Sequence, residues 1–238
     1  MSKCGTFYGI GVGPGDPELI TVKAQKVLEK IHYLFTPVAK QGGQSIAYTI
    51  AQRFIAPDAR IEMLHFPMTT DLKVCEKAWE EHAMKIFTVV NKGDDAAFIT
   101  LGDPMTFSTY GYLLRKMQVM YPQVPSVTIP GIPSYAAVAA SANLPLAQGN
   151  GTLTLIPGTA SRERIRKLLS LSDTVIFLKH HKNIRDLVEI VHEMGLHNKL
   201  LYVTHCGFED QVITSNPSPE LLEKNEYLSL LIVKKSSR

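Results

Sequence analysis

Short, mostly apolar runs alternate along the first half of the chain with stretches whose apolar residues recur at helical spacing. The runs at residues 6–12, 32–38, 61–66, 96–101 and 126–129 predict strands. Between and after them, Ile20, Ala24, Val27, Leu28 and Ile31 share one helix face, residues 44–55 and 72–91 predict further helices, and residues 107–121 place Tyr110, Leu113, Leu114 and Met117 together. An alanine-rich piece at 135–142 predicts a short, closely packed helix. Strand and helix in regular alternation predict a parallel α/β sheet with right-handed crossovers. The run that starts at Ala96 carries no charge, the pattern of a strand buried on both faces.

The pattern changes after residue 142. Residues 143–151 hold proline and glycine and end in Gly149-Asn150-Gly151, which marks a domain boundary and predicts units of 1–145 and 146–238. Strands are expected at 152–156, 174–178 and 200–204, with helices at 161–171 and 183–194 between them. Strands at 211–214 and 227–233 follow with only residues 217–224 separating them, too little for a parallel crossover, so this second sheet should be mixed.

Composition narrows the class. A chain of 238 residues with 45% hydrophobic and 20% charged residues can bury a core in one or two domains. No apolar run approaches the ~18 residues of a membrane span. The chain enters its first strand without an apolar leader, which predicts a cytoplasmic protein. Three cysteines (Cys4, Cys75, Cys206) without C-x-x-C spacing predict neither a disulfide framework nor a zinc site. The formal charge of +3 is too mild to imply nucleic-acid binding and suits a small anionic substrate equally well.

The candidate chemistry lies in three loops, at 13–17, 101–106 and 130–134, each following a strand of the first sheet. Loops at the carboxyl ends of parallel strands border the crevice where open α/β sheets bind ligands. Gly9-x-Gly11-x-Gly13 is not a dinucleotide fingerprint, because Asp16 stands where the last glycine would be needed. There is no phosphate-loop motif, no H-x-x-x-H and no G-x-S-x-G. Backbone groups freed by glycine and proline can still hold a small polar ligand, one whose own reactivity is high. Asp103, between Gly102 and Pro104, is either functional or the residue that shapes its loop. His180-His181 reads as a polar loop, since adjacent residues on an extended chain point opposite ways, and no metal site is expected.

Taken in order, Gly11-Val12-Gly13-Pro14-Gly15-Asp16-Pro17-Glu18-Leu19-Ile20-Thr21-Val22-Lys23-Ala24, Leu101-Gly102-Asp103-Pro104 and Pro130-Gly131-Ile132-Pro133-Ser134 resemble the tetrapyrrole methylases, the S-adenosylmethionine-dependent enzymes of corrin and sirohaem synthesis. Ile176-Phe177-Leu178 and Tyr202-Val203-Thr204-His205-Cys206-Gly207 extend the resemblance over essentially the whole chain. Within the family, Thr36-Pro37-Val38-Ala39-Lys40, Ser45-Ile46-Ala47-Tyr48 and the segment 205–207 are most similar to the C(20)-methyltransferases of precorrin-2 or cobalt-factor II, in cobalamin biosynthesis.

That resemblance implies two dissimilar α/β domains, the first with a five-strand parallel sheet and the second with a five-strand mixed one. It also implies S-adenosylmethionine in a cleft between the domains, a homodimer, and a small tetrapyrrole substrate with no nucleic-acid or membrane partner. Carried over, the cofactor contacts are Pro14, Leu101, Gly102, Asp103, Thr106, Pro133, Ser134, Leu178 and Gly207. Lys40 and Lys179 are candidates for the substrate carboxylates, though both could be solvated surface lysines. Asp103, Thr36 and Lys179 are candidates for the catalytic step. Some sirohaem-forming relatives place an aspartate, proposed as a base, where this chain has Pro37, so no general base carries over there. Two alternatives stay open: another methylase of the superfamily, acting at a different corrin position or on diphthamide or ribosomal RNA, and a non-catalytic nucleotide-binding module. The intact Gly13-Pro14-Gly15-Asp16 speaks against the macromolecular methylases.

Overall fold

The structure, a computed structural model, describes residues 4–40, 42–180, 183–224 and 226–235. It divides into two compact units, residues 1–133 and 134–238.

The first unit runs β1 (Phe7–Gly11), α1 (Val22–Leu28), β2 (Tyr33–Val38), α2 (Ile46–Ala51), β3 (Arg60–His65), α3 (Leu72–Val90), β4 (Ala96–Thr100), α4 (Tyr110–Met120) and β5 (Ser126–Ile129). Its five strands are all parallel in the order β3-β2-β4-β1-β5, as the alternation predicts. β4 lies between β2 and β1 and is buried along its whole length, which is why it can be wholly apolar. Asp71 caps α3, its Oδ1 accepting from Lys73 N at 2.9 Å, and the helix then buries Cys75, Trp79, Ala83, Ile86 and Val90 on one face in a core with Phe35, Phe66 and Phe98.

Two local features adapt this sheet to the sequence. β2 pairs with β4 only over Tyr33, Leu34 and Phe35, so Pro37 falls where β4 no longer requires a backbone donor. The ring of Tyr110 lies against β1 at Gly9, where an added Cβ would stand 1.9 Å from it, and the phenol bonds Thr128 Oγ1 at 2.8 Å. The helix expected from residue 107 starts at Tyr110, because Phe107 takes a left-handed backbone (φ 52°) that keeps the chain in the preceding loop. At the first helix both candidate caps are used. Asp16 caps a 3-10 turn, Pro17–Leu19, and Thr21 caps α1.

The second unit runs α5 (Ser134–Ser141), β6 (Leu153–Pro157), α6 (Arg162–Leu171), β7 (Thr174–Leu178), α7 (Ile184–Glu193), β8 (Leu200–Thr204), β9 (Val212–Thr214), α8 (Pro219–Glu223) and β10 (Ser229–Lys234). The strand order is β6-β7-β10-β8-β9; β6 and β7 are parallel, β10 is antiparallel to both β7 and β8, and β9 is antiparallel to β8. The sheet is mixed. Val175, Phe177, Tyr202, Leu231 and Val233 form its core with Ile165 and Leu169 of α6 and Leu187, Ile190 and Val191 of α7.

The division at 133/134 places α5 and the 143–151 stretch in the second unit, ahead of the 145/146 break that composition suggests. Lys234 Nζ donates to Pro145 O at 2.6 Å and Cys206 Sγ to Ser134 O at 3.7 Å, ties that composition does not record. α8 is a short helix within 217–224, with Ser218 as its N-cap and Pro219 in its first turn. His180 is buried rather than part of a polar loop, its ring 5.9 Å from that of Tyr202; His181 lies outside the described residues. Among the described residues no helix is long and apolar enough to cross a membrane, and no cluster of side chains could hold a metal ion.

Candidate functional site

β4, β1 and β5 are neighbours in one parallel sheet, so the loops that follow them leave the same edge. Backbone bonds join the first two of these loops, and the third packs closely against them. Gly102 N donates to Gly13 O at 2.7 Å and Gly13 N to Gly102 O at 3.2 Å, a two-residue bridge made with both glycines in left-handed conformations (φ 69° and 77°). A Cβ on Gly11 would lie 2.6 Å from Gly102 O and from Gly131 N, and one on Gly131 would lie 2.2 Å from Gly102 O. Only glycine permits that approach. Gly102 itself is a different case. A Cβ there would meet nothing nearer than Pro133 Cα at 3.9 Å, so its backbone demands glycine while the space beside it stays open.

Asp103 locks this arrangement. Its Oδ1 accepts from Met105 N at 2.9 Å and Thr106 Oγ1 at 3.3 Å, closing its own loop, and its Oδ2 accepts from Gly131 N at 3.2 Å in the loop after β5. Both oxygens of the carboxylate are thus engaged in holding the two loops. Of the residues carried over from the resemblance, Pro14, Leu101, Gly102, Asp103, Thr106 and Pro133 all belong to these three loops. Pro14 is buried; Leu101, Asp103, Thr106 and Pro133 are half-buried.

In the second unit β7 and β8 flank β10 and run parallel to each other, so Leu178 and the 205–207 segment emerge at one edge of the sheet, one strand apart. The Cys206 thiol reaches the carbonyl of Ser134, which brings the first residue of α5 beside Gly207. Burial pushes that thiol up to about 11, so it stays protonated and unreactive. Lys179 follows Leu178 in a left-handed conformation (φ 55°) and is exposed, while partial desolvation of its ammonium lowers its pKa from the ordinary lysine value.

Thr36 and Lys40 belong to β2 and the loop after it, which leaves the same edge of the sheet beside the loop after β4. Thr36, within β2 two residues before its end, has no exposed surface, and its hydroxyl is 2.5 Å from that of Ser45, the N-cap of α2. The pair pins the two ends of the loop that carries Lys40, which is exposed.

Residues 6–222 match the family model of the Tetrapyrrole (Corrin/Porphyrin) Methylases. The chain belongs to that family. This methylase is 35% identical, over 97% of its own length and 96% of the relative's, to a Methanocaldococcus jannaschii protein named a probable cobalt-precorrin-2 C(20)-methyltransferase. It is 33% identical to the cobalt-precorrin-2 C(20)-methyltransferase of Salmonella typhimurium, over 81% of this chain and 80% of that one. Among solved structures, the uroporphyrin-III C-methyltransferase of Thermus thermophilus complexed with S-adenosylhomocysteine matches with a TM-score of 0.64 over 97% of this chain and 98% of its own, at 18% identity, a likeness of fold.

Three features of the methylase's loops have no local signature in its sequence. They are the Gly11–Gly102–Gly131 approach, the Asp103–Gly131 bond across 28 residues, and a histidine, His205, set between two carboxylates. The folded backbone does mark the region: among the described residues the non-glycine positions with positive φ are Phe107, Asn143, Lys179 and His205, and all but Asn143 follow β4, β7 or β8. Backbone held in such regions clusters at functional sites.

Proposed function

We propose that this protein transfers a methyl group from S-adenosylmethionine to the C(20) bridging carbon of precorrin-2 in its cobalt-bearing form. The observation that carries the reading is identity of 35% and 33%, over most of both chains, to two proteins named for that reaction. Both names specify the cobalt form, which is why we favour it over the metal-free substrate.

The loops of the first unit fit the cofactor. The space beside Gly102 is bordered by Pro133 and kept clear of side-chain atoms, although sterics alone would admit a Cβ there. We assign the cofactor contacts to Leu101, Gly102, Asp103 and Thr106 of the loop after β4, together with Pro14, Pro133, Ser134, Leu178 and Gly207. S-adenosylmethionine supplies an electrophilic methyl on its sulfonium. The protein's task is then to hold donor and acceptor carbon in line and keep water away, an effect of position and orientation. Asp103 and Thr36 serve that task by fixing loops, not by moving protons. Lys179 and Lys40 are the cations we assign to the substrate's carboxylates. The same reading takes the enzyme to be a cytoplasmic homodimer with no nucleic-acid or membrane partner.

The test is incubation of the purified protein with S-adenosylmethionine and, in parallel, cobalt-precorrin-2 and metal-free precorrin-2. We expect stoichiometric S-adenosylhomocysteine and a singly methylated product, faster with the cobalt form. Cofactor binding without product from either substrate would reduce the protein to a binding module.

A further inference from the structure

We propose that His205 is the positioning residue of the turn that carries Gly207, working as an imidazolium clamped between Asp210 and Glu226. The inference rests on the reading that Gly207 contacts the cofactor.

His205 is the first residue after β8 and adopts φ 50°, a conformation uncommon for residues with a side chain, histidine among those that take it most readily. Its own backbone opens the turn. His205 N donates to Leu228 O at 2.7 Å, and His205 O accepts from Phe208 N at 3.0 Å. Gly207 (φ 80°) follows, its N–H bound to Gln211 Oε1 at 2.8 Å, and Gln211 N returns to Phe208 O at 3.1 Å. The turn therefore depends on two things: where residue 205 points, and whether 208–211 folds back over it.

The imidazole meets both needs. Nδ1 is 2.5 Å from Asp210 Oδ2, inside the folded-back segment, and Nε2 is 3.2 Å from Glu226 Oε2, in the segment leading into β10. A carboxylate only accepts, and a neutral imidazole carries a single N–H, so the neutral ring can satisfy one of these partners. The imidazolium satisfies both. Among the described residues, Asp210 from its own turn and Glu226 from the neighbouring segment are the charged groups that face the ring; the adjoining Cys206 thiol is neutral. Burial pulls the His205 pKa down, but the hydrogen bond and charge of Asp210 and the charge of Glu226 outweigh it and raise it above the ordinary histidine value. A group raised in this way contributes fully below the ordinary histidine pKa and loses its contribution as pH rises through the raised one. The clamp is thus complete in mildly acidic solution and opens on the alkaline side, releasing the Asp210 or the Glu226 end of the turn.

Calorimetric affinity for S-adenosylhomocysteine, measured from about pH 6 to about pH 9, tests this in the intact protein. The ligand's own amino group titrates in the same range, so the readout is the difference between profiles. His205→Asn removes the cation with a residue that tolerates left-handed backbone. We expect wild type to lose affinity with rising pH by about 10-fold more than His205→Asn does, the scale of one lost charge-assisted hydrogen bond. His205→Asn should be weak throughout. Asp210→Asn, which keeps the histidine and lowers its pKa, should move the wild-type midpoint to lower pH, and it carries the test should His205→Asn fail to fold. Parallel profiles for wild type and His205→Asn, or an unmoved midpoint in Asp210→Asn, would overturn the inference alone. A wild type that binds no S-adenosylhomocysteine at any pH would overturn the cofactor reading and this inference with it.

Discussion

Replacing Asp103 separates a loop-shaping carboxylate from a catalytic one. In Asp103→Ala three donors lose their acceptor: Met105 N, Thr106 Oγ1 and Gly131 N. A hydrogen bond to a charged group is worth roughly 1.5–3 kcal/mol when buried, but these are not equal losses. Met105 is exposed, so water replaces its partner at little cost, and the Thr106 hydroxyl can rotate to another acceptor. The Gly131 N–H is the expensive one, because Gly11 and Gly102 crowd that backbone and admit water poorly. We therefore expect a net loss of about 1.5–3 kcal/mol in the ordered loop arrangement, read as roughly 10- to 100-fold weaker S-adenosylhomocysteine binding by calorimetry. Asp103→Asn keeps one acceptor oxygen and should lose only about 5-fold, near 1 kcal/mol. At saturating cofactor, kcat of Asp103→Asn should stay within ~10-fold of wild type, well short of the ~10²–10⁴-fold that removal of a general acid or base costs. A kcat loss beyond 100-fold in Asp103→Asn with unchanged affinity would refute this reasoning and make Asp103 the proton acceptor.

Gly102→Val should abolish measurable cofactor binding while circular dichroism shows the fold intact, since the side chain would enter the open space beside Pro133 and strain a φ of 69° by about 1–3 kcal/mol; unchanged affinity would place the cofactor elsewhere. Thr36→Val should lower Tm by about 2–8 °C through loss of the buried Ser45 bond and lower kcat less than ~10-fold; a large loss of kcat at unchanged Tm would show a catalytic hydroxyl. Lys179→Ala should raise KM for the tetrapyrrole with little change in kcat, the signature of a contact made equally in ground and transition states, and steady-state kinetics in which neither parameter moves would leave Lys179 a solvated lysine.

The sequence carried the architecture wherever a single element could declare itself. The charge-free run through Phe98 and Ile99 reads as a central strand because burial on both faces leaves no other composition workable. Cys75, Trp79, Ala83, Ile86 and Val90 declare α3 by spacing alone. The loops at Gly13, Gly102 and Gly131 were visible as glycine and proline after strands, but their joining was not, since nothing near Asp103 announces a partner 28 residues on. Phe107 misleads for a related reason: an aromatic residue in step with a helix face gives no sign that its backbone is left-handed. α8 spans five residues, too few for a period to show, although Ser218-Pro219 is a helix start in plain view. His180 looked polar beside a second histidine and is instead buried against Tyr202, a matter of tertiary placement. His205 stands in the 202–207 segment that carries the family resemblance, yet Asp210 reaches it from its own turn and Glu226 from the segment before β10, and only the folded chain brings them together.

The central claim, methyl transfer to the C(20) bridging carbon, is tested most directly with S-adenosylmethionine labelled with ¹³C in its methyl group. After turnover with cobalt-precorrin-2, carbon NMR of the purified product should show one enriched methyl, coupled to the C(20) bridging carbon, which has lost its hydrogen. An enriched methyl on any other ring carbon, or label that stays in unreacted S-adenosylmethionine, would contradict the account.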